Sequence, residues 1–149
     1  MDSWHKDYLA NKEDYLKLFD TTMQKEQETN VEFLEKSITK LTGRRYTIVC
    51  SNGTDALHFA LISLGIKSGD EVITTNFSWI STASCISMAG ATPVFCDINM
   101  SSYHLSLDSI KNMYSDKTKA IVYPHLFGNM SDTKEIIDFC KEKNIAFIE

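Results

Sequence analysis

Apolar positions along this chain change their period part-way through. Between residues 31 and 41, Val31, Leu34, Ile38 and Leu41 recur at three- and four-residue steps, with Glu32, Glu35, Lys36 and Lys40 between them. That spacing predicts a helix with one apolar face, Asn30 standing as its N-cap and Gly43 as its stop. Upstream, Tyr15, Leu16, Leu18, Phe19 and Met23 predict a helix over 14–25 that no strand accompanies. Residues 1–28 are therefore expected to form an N-terminal helical segment, and 29–149 a larger domain.

From residue 45 onward the pattern alternates. Short, continuously apolar runs predict strands over 46–50, 71–75, 92–96, 120–123 and 145–148. Amphipathic runs between them predict helices over 54–64, 79–89, 107–114 and 132–143. The punctuation agrees: Gly65 and Gly90 stand where helices end, Asp132 and Glu135 have the spacing of a capping box, and Pro93 opens a strand where its missing N–H does least harm. Strands without polar alternation, joined through helices, imply a sheet covered on both faces. The expected fold is α/β, a three-layer α/β/α arrangement around a mostly parallel sheet, with no internal repeat.

Such a sheet gathers binding groups beyond the carboxyl ends of its strands. Here those ends carry residues 51–54, 76–79, Asp97 and 124–128. In Ser51-Asn52-Gly53-Thr54-Asp55-Ala56-Leu57 a buried strand is expected to turn through Gly53 directly into a helix. The unpaired N–H groups and positive dipole end of that helix favour an anion, most naturally a phosphate. Thr54 adds a hydroxyl donor, and Gly53 removes the Cβ that would hold the anion away. Trp79, in Asn76-Phe77-Ser78-Trp79, is placed at the start of a helix to lie flat on an aromatic ring; taken alone, Phe77 and Trp79 read as covering the end of the core, and beside the glycine loop the stacking reading takes precedence. His125 could orient a ligand group or be satisfied by a nearby backbone carbonyl, and Gly128 permits close backbone approach. Asp97 is expected to cap the turn after its strand.

A net charge of −5 gives no footprint for nucleic acid or an anionic membrane. No apolar run approaches the roughly 20 residues of a membrane span, and the N-terminus lacks the apolar core of a secretory signal, so a cytoplasmic location is expected. Cys50, Cys85, Cys96 and Cys140 show no metal or redox spacing and read as buried small hydrophobes. The four histidines never pair at helical spacing, which argues against zinc.

Five pieces now stand in one order: Ser51 to Leu57, Gly69-Asp70-Glu71-Val72-Ile73, Asn76-Phe77-Ser78-Trp79, Gly90-Ala91-Thr92-Pro93-Val94-Phe95-Cys96-Asp97 and His125-Leu126-Phe127-Gly128. In these the chain resembles the DegT/DnrJ/EryC1/StrS family of pyridoxal-phosphate sugar aminotransferases, over about residues 31–149. The resemblance implies the first half of a fold-type I large domain, homodimeric when full length, with the active site at the subunit interface. It implies that Gly53 and Thr54 bind the phosphate of pyridoxal 5′-phosphate and that Trp79 stacks on its ring. It implies transfer of an amino group, from glutamate as donor, to a keto group on a nucleotide-linked sugar for surface polysaccharide or glycoconjugate synthesis.

Two departures qualify that likeness. Residues 7–28 are polar and glycine-free, unlike the family's substrate-shaping segment, so the substrate class is left open. The sequence stops after Ala146-Phe147-Ile148-Glu149, where the family continues into Asp-Ala-Ala-Gln and later a Schiff-base lysine. The expectation is thus of an incomplete cofactor domain with no catalytic residue of its own, inactive by itself. Two other readings remain open: a Rossmann-type nucleotide or dinucleotide binder, and a non-catalytic dimerisation partner.

Overall fold

The computed structural model describes residues 12–14, 16–17 and 30–149. It divides into two compact units, Met1–Val49 and Cys50–Glu149. Most of the helix expected over 14–25 lies outside the described residues; Asp14, Leu16 and Lys17 are helical.

In the first unit, α1 (Asn30–Thr42) forms where its period predicts. Asn30 is its first helical residue rather than its cap, and Gly43 ends it at φ +66° with its N–H donated to the Thr39 carbonyl. Its apolar face buries no residue. The strand expected over 46–50 is absent, with Tyr46 and Ile48 largely exposed. An apolar run is ready to be extended but becomes a strand only where a neighbour takes its N–H and C=O groups. Here the Val49 N–H goes instead to Glu35 Oε1 at 2.9 Å, and the Thr47 hydroxyl oxygen accepts from the Thr39 hydroxyl.

The second unit runs α2 (Gly53–Ser63), β1 (Glu71–Thr75), α3 (Ser81–Met88), β2 (Thr92–Cys96), α4 (Leu107–Met113), β3 (Thr118–Val122), a 3₁₀ turn (Leu126–Gly128), α5 (Lys134–Lys143) and β4 (Ala146–Ile148). The four strands are all parallel, in the order β2-β1-β3-β4. Pro93 lies on the edge strand β2, where its missing N–H leaves no gap in a central ladder.

Alternation along the central strands divides the core in two. Val72, Ala120 and Val122 pack with Leu61 of α2 and Cys85 and Ile86 of α3. Ile73, Ile121 and Tyr123 pack with Ile110 of α4 and Ile136, Phe139 and Cys140 of α5. Both faces of the sheet are thus covered, giving the expected three layers. The buried Thr74 hydroxyl is satisfied across the sheet by the Val122 carbonyl at 2.9 Å.

Helices α2 and α3 end alike. Gly65 and Gly90 take positive φ, and the N–H groups of Ile66 and Ala91 reach back to the carbonyls of Leu61 and Ile86. These are Schellman ends, which the glycine positions announce. Asn144 (φ +53°) plays the same part after α5. The capping box expected at Asp132 and Glu135 does not form. Thr133 occupies the cap position, and Asp132 Oδ1 instead accepts from the Lys134 N–H at 2.9 Å. The turn after β2 is closed by Asn99, whose Oδ1 accepts from the Ser101 and Ser102 N–H groups, and not by Asp97.

Cys85, Cys96 and Cys140 are buried, whereas Cys50 is partly exposed, against the expectation that all four are core residues. Burial pushes the Cys140 thiol up to about 11 from 9.0, because the thiolate would lose its hydration. The folded state therefore holds this proton more tightly than the unfolded state. That contribution to stability is complete below about pH 9 and lost as pH rises towards 11. With iodoacetamide at pH 8, mass spectrometry is expected to find Cys50 modified in the native protein and Cys140 only after unfolding. Equal native labelling of the two would contradict the buried, protonated assignment.

Candidate active site

Parallel strands place every carboxyl end on one side of the sheet. From β1 the chain leaves towards β2; from β3 it leaves towards β4, on the opposite side. The loops after β1 and β3 therefore diverge and leave a crevice between them, the position at which open α/β sheets bind ligands. A cleft of about 320 Å³ opens there, lined by Asn76, Phe77, Ser78, Trp79, Leu126 and Phe127.

Trp79 lies two residues before α3, not in its first turn, and is 74% exposed. Its indole is thus not packed into the core among the described residues. Phe77 is tied into the structure: its N–H donates to Thr75 Oγ1 at 3.0 Å, and its ring stacks on Tyr103 with centroids 5.6 Å apart. Across the cleft Phe127 takes φ +59° and ψ 21°, a left-handed conformation that bulky side chains rarely adopt. Gly128 follows at φ +73°, and the Phe127 side chain projects outward, 93% exposed.

The start of α2 is organised by Asn52, which stays extended and accepts the Asp55 N–H on Oδ1 at 2.9 Å. Its amide nitrogen and the Ser51 hydroxyl hold Asp55 Oδ2, drawing that carboxylate back over the cap. The Ala56 N–H goes to the Asn52 carbonyl. Among the described residues nothing accepts from the Gly53 or Thr54 N–H. Nor does the chain need a glycine at 53 for itself: its φ is not left-handed, and an added Cβ would meet nothing within 4 Å. Thr54 Oγ1 lies 2.7 Å from Ser81 Oγ, which joins the start of α2 to the start of α3, two residues beyond Trp79. Gly53 and Thr54 do not line the cleft; this hydroxyl contact links them to the loop that does.

His125 stands beside the site rather than in it. Its Nε2 is 2.9 Å from Glu149 Oε1, a carboxylate partner in place of the backbone carbonyl expected for it. Thr133 Oγ1 donates to the same oxygen at 3.4 Å. Tyr123 next to it shares a short hydroxyl contact with Ser131, 2.6 Å, and burial raises its phenol above the ordinary range. No group of three metal-ligating side chains occurs among the described residues.

With this geometry established, relatives become informative. The model of the DegT/DnrJ/EryC1/StrS aminotransferase family matches residues 10–149. The chain belongs to that family. It is 40% identical over 105 residues to GDP-perosamine synthase of Escherichia coli O157:H7, covering 70% of this chain and 29% of that protein. It is 36% identical over 116 residues to UDP-2-acetamido-2-deoxy-3-oxo-D-glucuronate aminotransferase of Pseudomonas aeruginosa, covering 78% and 32%. NtdA of Bacillus subtilis, solved with bound cofactor PMP, superimposes with a TM-score of 0.84 at 28% identity, over 95% of this chain and 32% of that one. The chain thus spans about a third of the length of these relatives.

The family match spans Gly53, Thr54, Trp79, Asn52, Ser81 and Phe127 alike and singles out none; the roles of Asn52 and Ser81 and the backbone of Phe127 come from the structure. Asn52 could have been found from the Asn-x-x-Asp spacing at a helix start. Replacing it by Ala removes a cap that fixes which N–H groups remain free. Chemical denaturation of Asn52→Ala is expected to show a loss of about 1 kcal/mol. A change below a few tenths would mean that the cap does not hold this helix end.

Proposed function

We propose that this chain supplies the cofactor-binding part of a pyridoxal-phosphate-dependent aminotransferase acting on a nucleotide-linked keto sugar. One observation carries the reading: two uncommitted N–H groups, at Gly53 and Thr54, joined through the Thr54–Ser81 contact to the loop that exposes Trp79. The residues present fit the cofactor. Gly53 and Thr54 offer amide donors to its phosphate, and open space above Gly53 leaves room for the anion. Trp79 offers a ring face, while Phe77, Leu126 and Phe127 surround the cleft with apolar surface that limits water around a bound ring. When bound, pyridoxal phosphate supplies an electron sink through which an amino group passes between an amino acid and a keto compound.

The finer parts of the reading rest on kinship. The sugar-nucleotide names of the two curated relatives support a nucleotide-sugar substrate. Glutamate as donor, a role in polysaccharide or glycoconjugate synthesis, and a homodimeric assembly follow from the family resemblance. Four free thiols support a reducing compartment, the cytoplasm. Among the described residues no helix is long and apolar enough to cross a membrane.

Equilibrium dialysis of the intact protein with pyridoxal phosphate and, separately, NAD tests this reading. Saturable binding of the former alone is expected, weakened about two- to tenfold by Trp79→Ala through loss of ring stacking. Binding of NAD without pyridoxal phosphate would overturn the reading in favour of a dinucleotide domain.

A further inference from the structure

The contact between Thr54 Oγ1 and Ser81 Oγ, 2.7 Å, leaves a proton over. Two hydroxyls carry two protons, and the bond between them uses one. Among the described residues neither oxygen has another partner, so the second proton has no acceptor in the chain. Neither side chain turns back to a carbonyl of its own helix, the common fate of a helical Ser or Thr.

Burial decides which oxygen keeps the free proton. Ser81 is only 8% exposed, whereas Thr54 is half-buried. Were Thr54 the donor, the Ser81 proton would be left without an acceptor in a buried position, at the cost of an unmet donor. With Ser81 as donor, its own requirement is met and the spare proton lies on Thr54, the more open of the two. The Thr54 N–H and the Gly53 N–H are also uncommitted, so three donors stand together at the start of α2. An anion is the group that satisfies all three.

We propose that Ser81 is a positioning residue for the phosphate of the cofactor: it donates to Thr54 Oγ1 and so turns the Thr54 proton towards the phosphate. This inference rests on the cofactor reading above and adds to it a residue outside the glycine turn, 27 positions along the chain. Ser81 acts through Thr54 and does not touch the ligand. The contact also locks the start of α2 to the start of α3. The distance between the phosphate donors and the Trp79 loop is thereby held before the ligand arrives.

The test compares pyridoxamine 5′-phosphate with pyridoxamine, which lacks the phosphate, by calorimetric titration of the intact protein. These amine forms cannot form a covalent bond with a lysine, so affinity reports the non-covalent cradle. Thr54→Val is expected to weaken pyridoxamine phosphate binding about tenfold or more, the usual effect of losing a hydrogen bond to a charged group. Ser81→Ala is expected to weaken it about three- to tenfold, with pyridoxamine unaffected. The double variant should bind as Thr54→Val does, because Ser81 has no effect once its only partner is gone. A general folding defect would weaken both probes together, and the ratio of the two affinities separates it from a phosphate effect.

Three results bear differently on the account. If Thr54→Val matters but Ser81→Ala leaves the ratio unchanged, the positioning role is wrong and the cofactor reading stands. If the two single losses add in the double variant, Ser81 meets the ligand directly and the proposed relay is wrong. If the unaltered protein binds neither probe, the cofactor reading itself fails.

Discussion

The parallel pairing of β1 with β3 is the constraint on which the remaining architecture depends. Because both strands point the same way, both following loops emerge on one side of the sheet. Because β1 is followed by a strand on its left and β3 by one on its right, those loops must part. The crevice is a consequence of strand order and needs no special side chain to open it. Side chains decide only what the crevice can hold, and here they supply aromatic walls.

Beside this crevice the start of α2 works by restraint as much as by provision. A helix start has several amide donors without partners. Asn52 takes the Asp55 N–H, and the Asn52 carbonyl takes that of Ala56, so the donors left free are those of Gly53 and Thr54. The Asp55 carboxylate is held at the cap by the Ser51 hydroxyl and the Asn52 side-chain amide. This helix start thus keeps groups that the fold itself does not use, among them two N–H donors with no acceptor among the described residues. The glycine is the clearest case, since neither its backbone angle nor its neighbours require it.

Much of the sheet was legible because continuous apolar runs have few solutions other than a buried strand. β1 and β2 occupy 71–75 and 92–96, the residues their patterns predict, and Gly65 and Gly90 mark the helix ends. Residues 46–50 show where that reasoning stops. Their apolarity expresses a readiness to be extended, but pairing depends on a neighbour that a local pattern does not report. The candidate site divides along the same line. Gly53, Thr54 and Trp79 stand out because residue type and position suffice to suggest them. Ser81 does not, since its importance lies in a hydroxyl brought close by the packing of α3 on α2. The left-handed turn at Phe127 is likewise a property of the folded loop, in a residue whose own preference points elsewhere.

The central claim is that the amides of Gly53 and Thr54 receive a phosphate. Amide chemical shifts recorded by ¹⁵N-resolved NMR during addition of pyridoxamine phosphate address it directly, since hydrogen bonding to an anion moves an amide proton downfield. The account requires the Gly53 and Thr54 signals to move strongly in that direction with the phosphorylated compound and little with pyridoxamine. Signals at these two residues that stay in place while amides elsewhere respond would contradict it.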